Sequence, residues 1–295
     1  MIMEGRQPAA RNGGLIISGR HAAVLGSPIG HSLSPVLHRA AYRALGLRDW
    51  DYEAIECDEA GLPGLLDSLG PGWAGLSLTM PLKRAVLPLL DQAETLAAEV
   101  GAANTVVFAD GGRIGFNTDV PGMITALAEA GVTTAGSALV LGAGATACAA
   151  LGALRGLGVS EVAVAVRNPA TAGLLRDAAG RLGINVRLIR FNEESEEPAW
   201  PLLISTVPAG AADVYADRIR AGTFAAGAVL DVIYHPWPTR LARAAAAAGA
   251  AVSGGFELLL HQAARQVELM TGQDAPTAAM REAGRAALAR RTASA

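Results

Sequence analysis

The chain has 295 residues, 51% hydrophobic, 17% charged and 4% aromatic, which is enough apolar mass for two packed domains and too little charge for a disordered chain. Lys and Arg number 24 against 27 Asp and Glu, a net charge of -3 with no basic block, so the cationic footprint that nucleic acid demands is missing. The two cysteines, Cys57 and Cys148, and five scattered histidines give neither a disulfide framework nor metal-ligand spacing, and no stretch reaches the ~18 apolar residues of a membrane helix. No resident metal is expected. Residues 1–20, rich in Gly, Arg and Asn, read as a flexible tail; the apolar run 15–17 is too short for a signal-peptide core, so a soluble, cytoplasmic protein is expected. A strand follows at 21–26, then a helix over 35–45 with Ser34 as N-cap and Pro35 at its first position. Next come a strand at 50–56, a helix at 60–69, a strand at 75–79, helical turns at 84–90 and 94–100, and a strand pair at 104–108 and 112–117.

From Val120 the texture changes. A helix at 120–130 leads to a buried strand at 138–141, a helix to about 157, a strand at 161–166 and a helix at 169–182. Further strands are predicted at 186–189, 202–206, 229–232 and 250–253, and amphipathic helices at 256–272 and 277–290. The alanine run 244–248 is helical by propensity, and the acidic run Glu193–Glu197 reads as a solvated loop. The class is α/β: an N-terminal α/β substrate domain beside a Rossmann-type, doubly wound dinucleotide-binding domain.

The strand at 138–141 runs directly into Gly142-x-Gly144-x-x-Ala147 and a helix, the Rossmann fingerprint in its alanine-ending form. Gly142 permits the tight turn, Gly144 lets backbone approach a pyrophosphate, and Ala147 lets helix and strand pack closely. The helix N-terminus then offers free N–H groups to the phosphates. Its second strand ends in Arg167-Asn168 where an NAD site would place an acid. A guanidinium there suits a 2′-phosphate, so NADP is preferred over NAD.

What is transformed must be read from polar residues gathered at segment ends. Ser32 and Ser34 before a helix make a carboxylate site, although Ser34 also reads as a plain cap. Lys83 follows Thr79-Met80-Pro81, and a lysine at a helix start is by itself ordinary surface. Asp119, ahead of Val120-Pro121, reads equally well as a helix N-cap.

Taken together, His31-Ser32-x-Ser34-Pro35, Thr79-x-Pro81-x-Lys83, Gly101-Ala-x-Asn104-Thr105 and Asn117-Thr118-Asp119 resemble the shikimate dehydrogenase family in order and spacing. The resemblance continues through the Gly142 turn, Asp231-x-x-Tyr234-x-Pro236-x-x-Thr239, Gly254-Gly255 and Gln262-Ala263, and spans about residues 21–275. It implies that Ser32, Ser34 and Tyr234 hold a substrate carboxylate, that Thr79, Asn104, Thr118 and Gln262 bond ring hydroxyls, and that Lys83 and Asp119 are the catalytic pair. The cofactor, NADP, would be held by Gly142, Ala143, Gly144, Ala145, Thr146, Ala147, Arg167, Asn168 and Gly255. The implied activity is reversible reduction of 3-dehydroshikimate to shikimate, in aromatic amino acid biosynthesis. The same machinery would serve quinate or an aminoshikimate, whereas a non-catalytic regulator would have no need of the Lys83–Asp119 pair.

The implied division is a substrate domain over 21–119, completed by 255–295, and a dinucleotide domain over 120–254 that closes on it, in a monomer or homodimer. The chain departs from the family pattern at Ser77-Leu78-Thr79, where Asn-Val-Thr is common, and at Ala145, where a third glycine is common. Arg167-Asn168-Pro169-Ala170-Thr171 keeps the first arginine of the 2′-phosphate motif and lacks the second. Leu258 replaces a methionine that contacts the nicotinamide, a volume-conserving change.

Overall fold

The computed structural model describes residues 20–191 and 199–293. The tail expected over 1–20, apart from Arg20, and the acidic run Glu193–Glu197 lie outside the described residues.

The first half forms β1 (Arg20–Gly26), α1 (Ser34–Ala44), β2 (Trp50–Glu56), α2 (Leu62–Ser68), β3 (Trp73–Leu78), α3 (Leu82–Ala85), β4 (Gln92–Ala93), α4 (Thr95–Val100), β5 (Thr105–Ala109) and β6 (Gly112–Phe116). Its six strands make one sheet in the order β2-β1-β3-β5-β6-β4, with β1 parallel to β2 and β3 and with β5 antiparallel to β3 and β6. After α5 (Asp119–Glu129) come β7 (Ala138–Leu141), α6 (Ala145–Gly156), β8 (Glu161–Val166), α7 (Gly173–Leu182), β9 (Asn185–Arg190), β10 (Ala199–Ser205), α8 (Asp213–Arg220), β11 (Ala225–Asp231), α9 (Arg240–Ala247) and β12 (Ala251–Gly254). These strands form a second sheet, all parallel, ordered β12-β11-β10-β7-β8-β9. Counted from β7 that is 3-2-1-4-5-6, the Rossmann order, whose ligands sit outside the carboxyl ends of the strands where the order reverses. Two helices, α10 (Gly255–Thr271) and α11 (Thr277–Ala293), end the chain.

Strand periodicity explains both cores, because successive side chains point to opposite faces. On β1, Ala22 and Val24 pack with α1, α10 and α11 through Leu37, Leu260, Val267 and Met280, while Ala23 and Leu25 pack with Leu62, Leu66 and Leu82. On β7, Ala138 and Val140 meet α6 and α7, and Leu139 and Leu141 meet Tyr215 and Leu241 of α8 and α9. Both sheets are therefore covered on two sides, which is why β7 and β8 read as unbroken apolar runs. No helix among the described residues is long and apolar enough to cross a membrane.

The predicted helix over 84–90 is instead the short α3 and a 3-10 turn at Leu87–Leu89, which meet at Val86, with Pro88 inside the turn. Helix α8 was not expected: only Tyr215, Ala216 and Ile219 of its eight residues are buried, too short a pattern to stand out. β10 starts at Ala199, earlier than expected, and runs through Pro201. The proline is tolerated because the β7 pairing begins only at Leu202, so at that end the strand pairs with β11 alone.

Candidate active site

A cavity of about 260 Å³ opens where the C-terminal ends of β1 and β3 face the starts of α5, α6 and α10. Ser32, Ser34, Thr79, Lys83, Asp119, Thr146, Tyr234, Gly255 and Gln262 line it, all from the predicted set, together with Ser77, Leu258 and Gln266. Asn104 and Thr118 are brought to the same place but lie buried behind this wall.

Two local arrangements aim the polar groups inward, and both correct the expected caps. Ser34 is not the N-cap of α1: Leu33 holds that position, Ser34 is the first helical residue, and its N–H donates to the Ser32 hydroxyl at 3.2 Å. Asp119 is likewise the first residue of α5, after Thr118, and the Val120 N–H is met by the Asn117 carboxamide oxygen at 3.2 Å. In each case an upstream neighbour caps the helix, and the expected cap is left facing the cavity.

Lys83 Nζ lies 2.6 Å from Asp119 Oδ2, with the two side chains 15% and 7% exposed, so this ion pair is largely shielded from water. Asn104 holds the second carboxylate oxygen, donating from Nδ2 to Asp119 Oδ1 at 2.9 Å. The orientation of its amide is set because the Thr118 N–H must meet an oxygen, and it meets Asn104 Oδ1 at 2.8 Å. Gln262 spends one N–H on the Leu259 carbonyl and accepts from Asn104, leaving its other N–H for a ligand.

A second chain of bonds, absent from the predicted set, runs beneath this one. Tyr52 donates to Ser77 at 2.6 Å, Ser77 donates to Gln266 Oε1 at 2.8 Å, and Gln266 Nε2 donates to the Asn104 carbonyl and to the Thr105 hydroxyl. Ser77 has thus used its hydrogen and faces the cavity as an acceptor only. Gln266 left one legible trace, a second polar residue four positions after Gln262 on an otherwise apolar helix face.

His38 stacks on Tyr52 with ring centroids 3.9 Å apart and donates from Nδ1 to the Ser34 carbonyl at 2.9 Å. Its Nε2 is buried without a partner among the described residues. Burial, opposed by the Ser34 bond, lowers its pKa to about 4. Above the ordinary value of 6.5 the ring is neutral in folded and unfolded chains alike; between 6.5 and about 4 only the unfolded chain takes up the proton. Stability should therefore fall as pH drops through that window, by up to about 3 kcal/mol from this residue. Urea unfolding at pH 7 and pH 4.5 checks it: His38→Phe, which keeps the stacking, should lose less over that interval than the unaltered chain. Equal losses would remove His38 as the cause.

The glycine turn sits at the carboxyl end of β7. Gly142 has φ +105°, and a Cβ there would come within 2.7 Å of the Thr206 hydroxyl oxygen. The N-terminus of α6 has no side-chain cap, so its N–H groups stay available, and Ala147 is fully buried against the sheet. Arg167 is exposed at the end of β8 and does not line the cavity, while the Asn168 carboxamide is occupied, accepting from the Ala170 N–H at 3.0 Å. A Cβ on Gly255 would lie 2.0 Å from the Val232 carbonyl oxygen, so only glycine lets α10 start this close to the strand end. Asp231 of the Tyr234 segment is structural: it accepts from the Thr239 hydroxyl at 2.7 Å, and Thr239 caps α9.

Neither cysteine reaches the cavity. Cys148 is buried in α6 and accepts from Arg84 Nη2 at 3.1 Å, and burial, opposed by Arg84, raises its thiol pKa. Glu129, Glu257 and His261 converge at metal-ligand distances, but Arg281 donates to both carboxylates and already supplies their countercharge.

Known proteins share much of this sequence and its fold. The family described as Shikimate dehydrogenase substrate binding domain matches residues 24–106, and Shikimate 5'-dehydrogenase C-terminal domain matches 255–283. A Thermus thermophilus relative named shikimate dehydrogenase (NADP(+)) is 39% identical over 267 residues, 90% of this chain and 98% of the relative. The crystal structure of Mycobacterium tuberculosis shikimate dehydrogenase superposes with a TM-score of 0.81 at 46% identity, covering 90% of this chain and 99% of that one. A Thermus thermophilus shikimate 5-dehydrogenase in complex with NADP(H) and shikimate gives a TM-score of 0.79 at 36% identity, covering 91% and 100%. Identity at this level across nine-tenths of the chain, on a shared fold, places the chain in the shikimate dehydrogenase family.

Proposed function

We propose that the chain catalyses the NADP-dependent, reversible reduction of 3-dehydroshikimate to shikimate. The observation that carries this reading is the shielded Lys83–Asp119 pair, 2.6 Å apart in a hydroxyl-lined cavity that also reaches Thr146 of the dinucleotide turn. Residues 21–119 with 255–295 form the substrate unit, and 120–254 the cofactor unit. Ser32, Ser34 and Tyr234 take the substrate carboxylate at one end of the cavity. Thr79 and Gln262 bond the ring hydroxyls, supported from behind by Asn104 and Thr118, and a site so built rejects substrates lacking those hydroxyls. The backbone of Gly142 to Ala147 and the α6 N-terminus fit a pyrophosphate, Gly255 admits the cofactor's reactive end, and Arg167 faces the 2′-phosphate with Asn168 shaping its turn.

Bound NADPH supplies the hydride that reduces the substrate ketone. Lys83 donates a proton from Nζ to the oxygen as negative charge grows on it. Asp119, held by Asn104, keeps the ammonium aimed and stabilises its charge. In the oxidative direction the pair takes up the hydroxyl proton. The cavity and both units belong to one chain, a requirement met by monomer and homodimer alike.

The test is a reduced-cofactor absorbance assay with shikimate and quinate each crossed against NADP and NAD. Strong turnover only with shikimate and NADP is expected; turnover with quinate or NAD instead would move the substrate or cofactor, and none at all, with NADP still bound, would point to a regulator. For the cofactor, Arg167→Ala should raise the KM for NADP about ten-fold or more while leaving that for NAD within about two-fold, the loss of one phosphate-paired guanidinium. Equal losses on both cofactors would sink the Arg167 assignment.

A further inference from the structure

We propose that Arg291, on the last turn of α11, supplies the positive charge that draws the substrate carboxylate into the cavity, an inference that rests on the reading above. The three groups assigned to that carboxylate, Ser32, Ser34 and Tyr234, are all neutral, and the Lys83 ammonium is already paired with Asp119. An anion held only by hydroxyls would lose hydration with no formal countercharge beyond the N-terminus of α1.

Arg291 lies behind this end of the cavity although it is some 260 residues away in sequence. Its Nη1 donates to the His31 carbonyl at 2.8 Å, and its Nη2 lies 3.5 Å from the Ser32 carbonyl. The Tyr234 hydroxyl donates to the same His31 oxygen at 3.4 Å, so phenol and guanidinium converge on one atom and lie within about 6 Å of each other. The proximity has an electrostatic signature: burial raises the Tyr234 phenol pKa, and the Arg291 charge opposes that rise.

The other charges at this end do not replace it. Glu56, which accepts from the Ser27 hydroxyl at 2.6 Å and the Ile29 N–H at 3.0 Å, anchors the same loop with the opposite sign. His31 lines the cavity and is exposed.

Two roles are open to Arg291, bracing the loop or providing charge, and a neutral substrate separates them. Full-length chain and its Arg291→Met and Arg291→Lys variants are assayed at pH 8 and low salt, with saturating NADP, on shikimate and on its methyl ester. Arg291→Met should raise the KM for shikimate about ten-fold with kcat within about two-fold and the KM for NADP unchanged. Its kcat/KM on the ester should match the unaltered chain, and Arg291→Lys should recover most of the affinity for the acid. Equal losses on acid and ester, or no loss on the acid, would overturn the charge role. No turnover of shikimate by the unaltered chain would overturn the underlying reading and this proposal with it.

Discussion

Lys83→Ala should lower kcat by about 10²- to 10⁴-fold with the KM for shikimate changed by less than about ten-fold, because the residue acts on the developing oxyanion and leaves carboxylate and hydroxyl binding to others. The geometry makes the split sharp. Asp119 remains held through Asn104 Nδ2 at 2.9 Å, and Asn104 through the Thr118 backbone, so the cavity wall survives loss of the lysine. Lys83→Arg separates proton donation from charge. A guanidinium can keep the pairing with Asp119 but gives up its proton far less readily, so kcat should stay low. Steady-state rates on shikimate and NADP check both variants, and near-normal turnover in either would take Lys83 out of the proton step.

Gly255→Ala should destabilise the fold by about 3 kcal/mol or more, lowering Tm by roughly 6–12 °C. The added Cβ would fall 2.0 Å from the Val232 oxygen, 2.3 Å from the Val232 carbonyl carbon and 2.7 Å from the Ile233 carbonyl carbon. All three are backbone atoms, so no rotamer change relieves the clash; the start of α10 and the segment after β11 must move apart. Leu258 and Gln262 ride on that helix and Tyr234 on that segment, so kcat/KM should fall about ten-fold or more as well. Scanning calorimetry and a shikimate assay on the same preparation suffice, and a variant melting within about 2 °C of the parent would show that the junction yields easily.

Much of this site was legible because its parts fall at breaks in the hydrophobic pattern. Strands β7 and β8 begin and end where expected, since unbroken apolar runs bounded by glycine or polar residues leave little choice. The Gly142 turn followed from its place between such a strand and a helix. Ser32, Ser34, Lys83, Asp119 and Tyr234 stood at segment ends, where side chains escape the periodicity of the element.

What stayed hidden depends on contacts between distant segments. Whether Ser34 or Ser32 caps α1, and whether Asp119 or Asn117 caps α5, turns on backbone angles that each pair of neighbours could satisfy in either way. The Tyr52–Ser77–Gln266 chain joins β2, β3 and α10, with Ser77 and Gln266 separated by 189 positions, and no local pattern announces it. His38 looked like any polar residue on a helix; only the ring of Tyr52 stacked on it reveals a histidine held neutral.

The return of α10 and α11 to the first sheet also sets an order of completion during synthesis. Leu37, Tyr42 and Tyr52 belong to a core shared with Phe256, Leu260, Val267 and Met280, all contributed by the last forty or so residues. The sheet made first on the ribosome is therefore finished last, holding an uncovered apolar face while the entire parallel sheet is translated. The second sheet, drawn from one continuous stretch, can close as soon as β12 emerges. A nascent chain halted near residue 254 should thus carry an ordered parallel sheet beside an incompletely packed neighbour whose apolar face is still open.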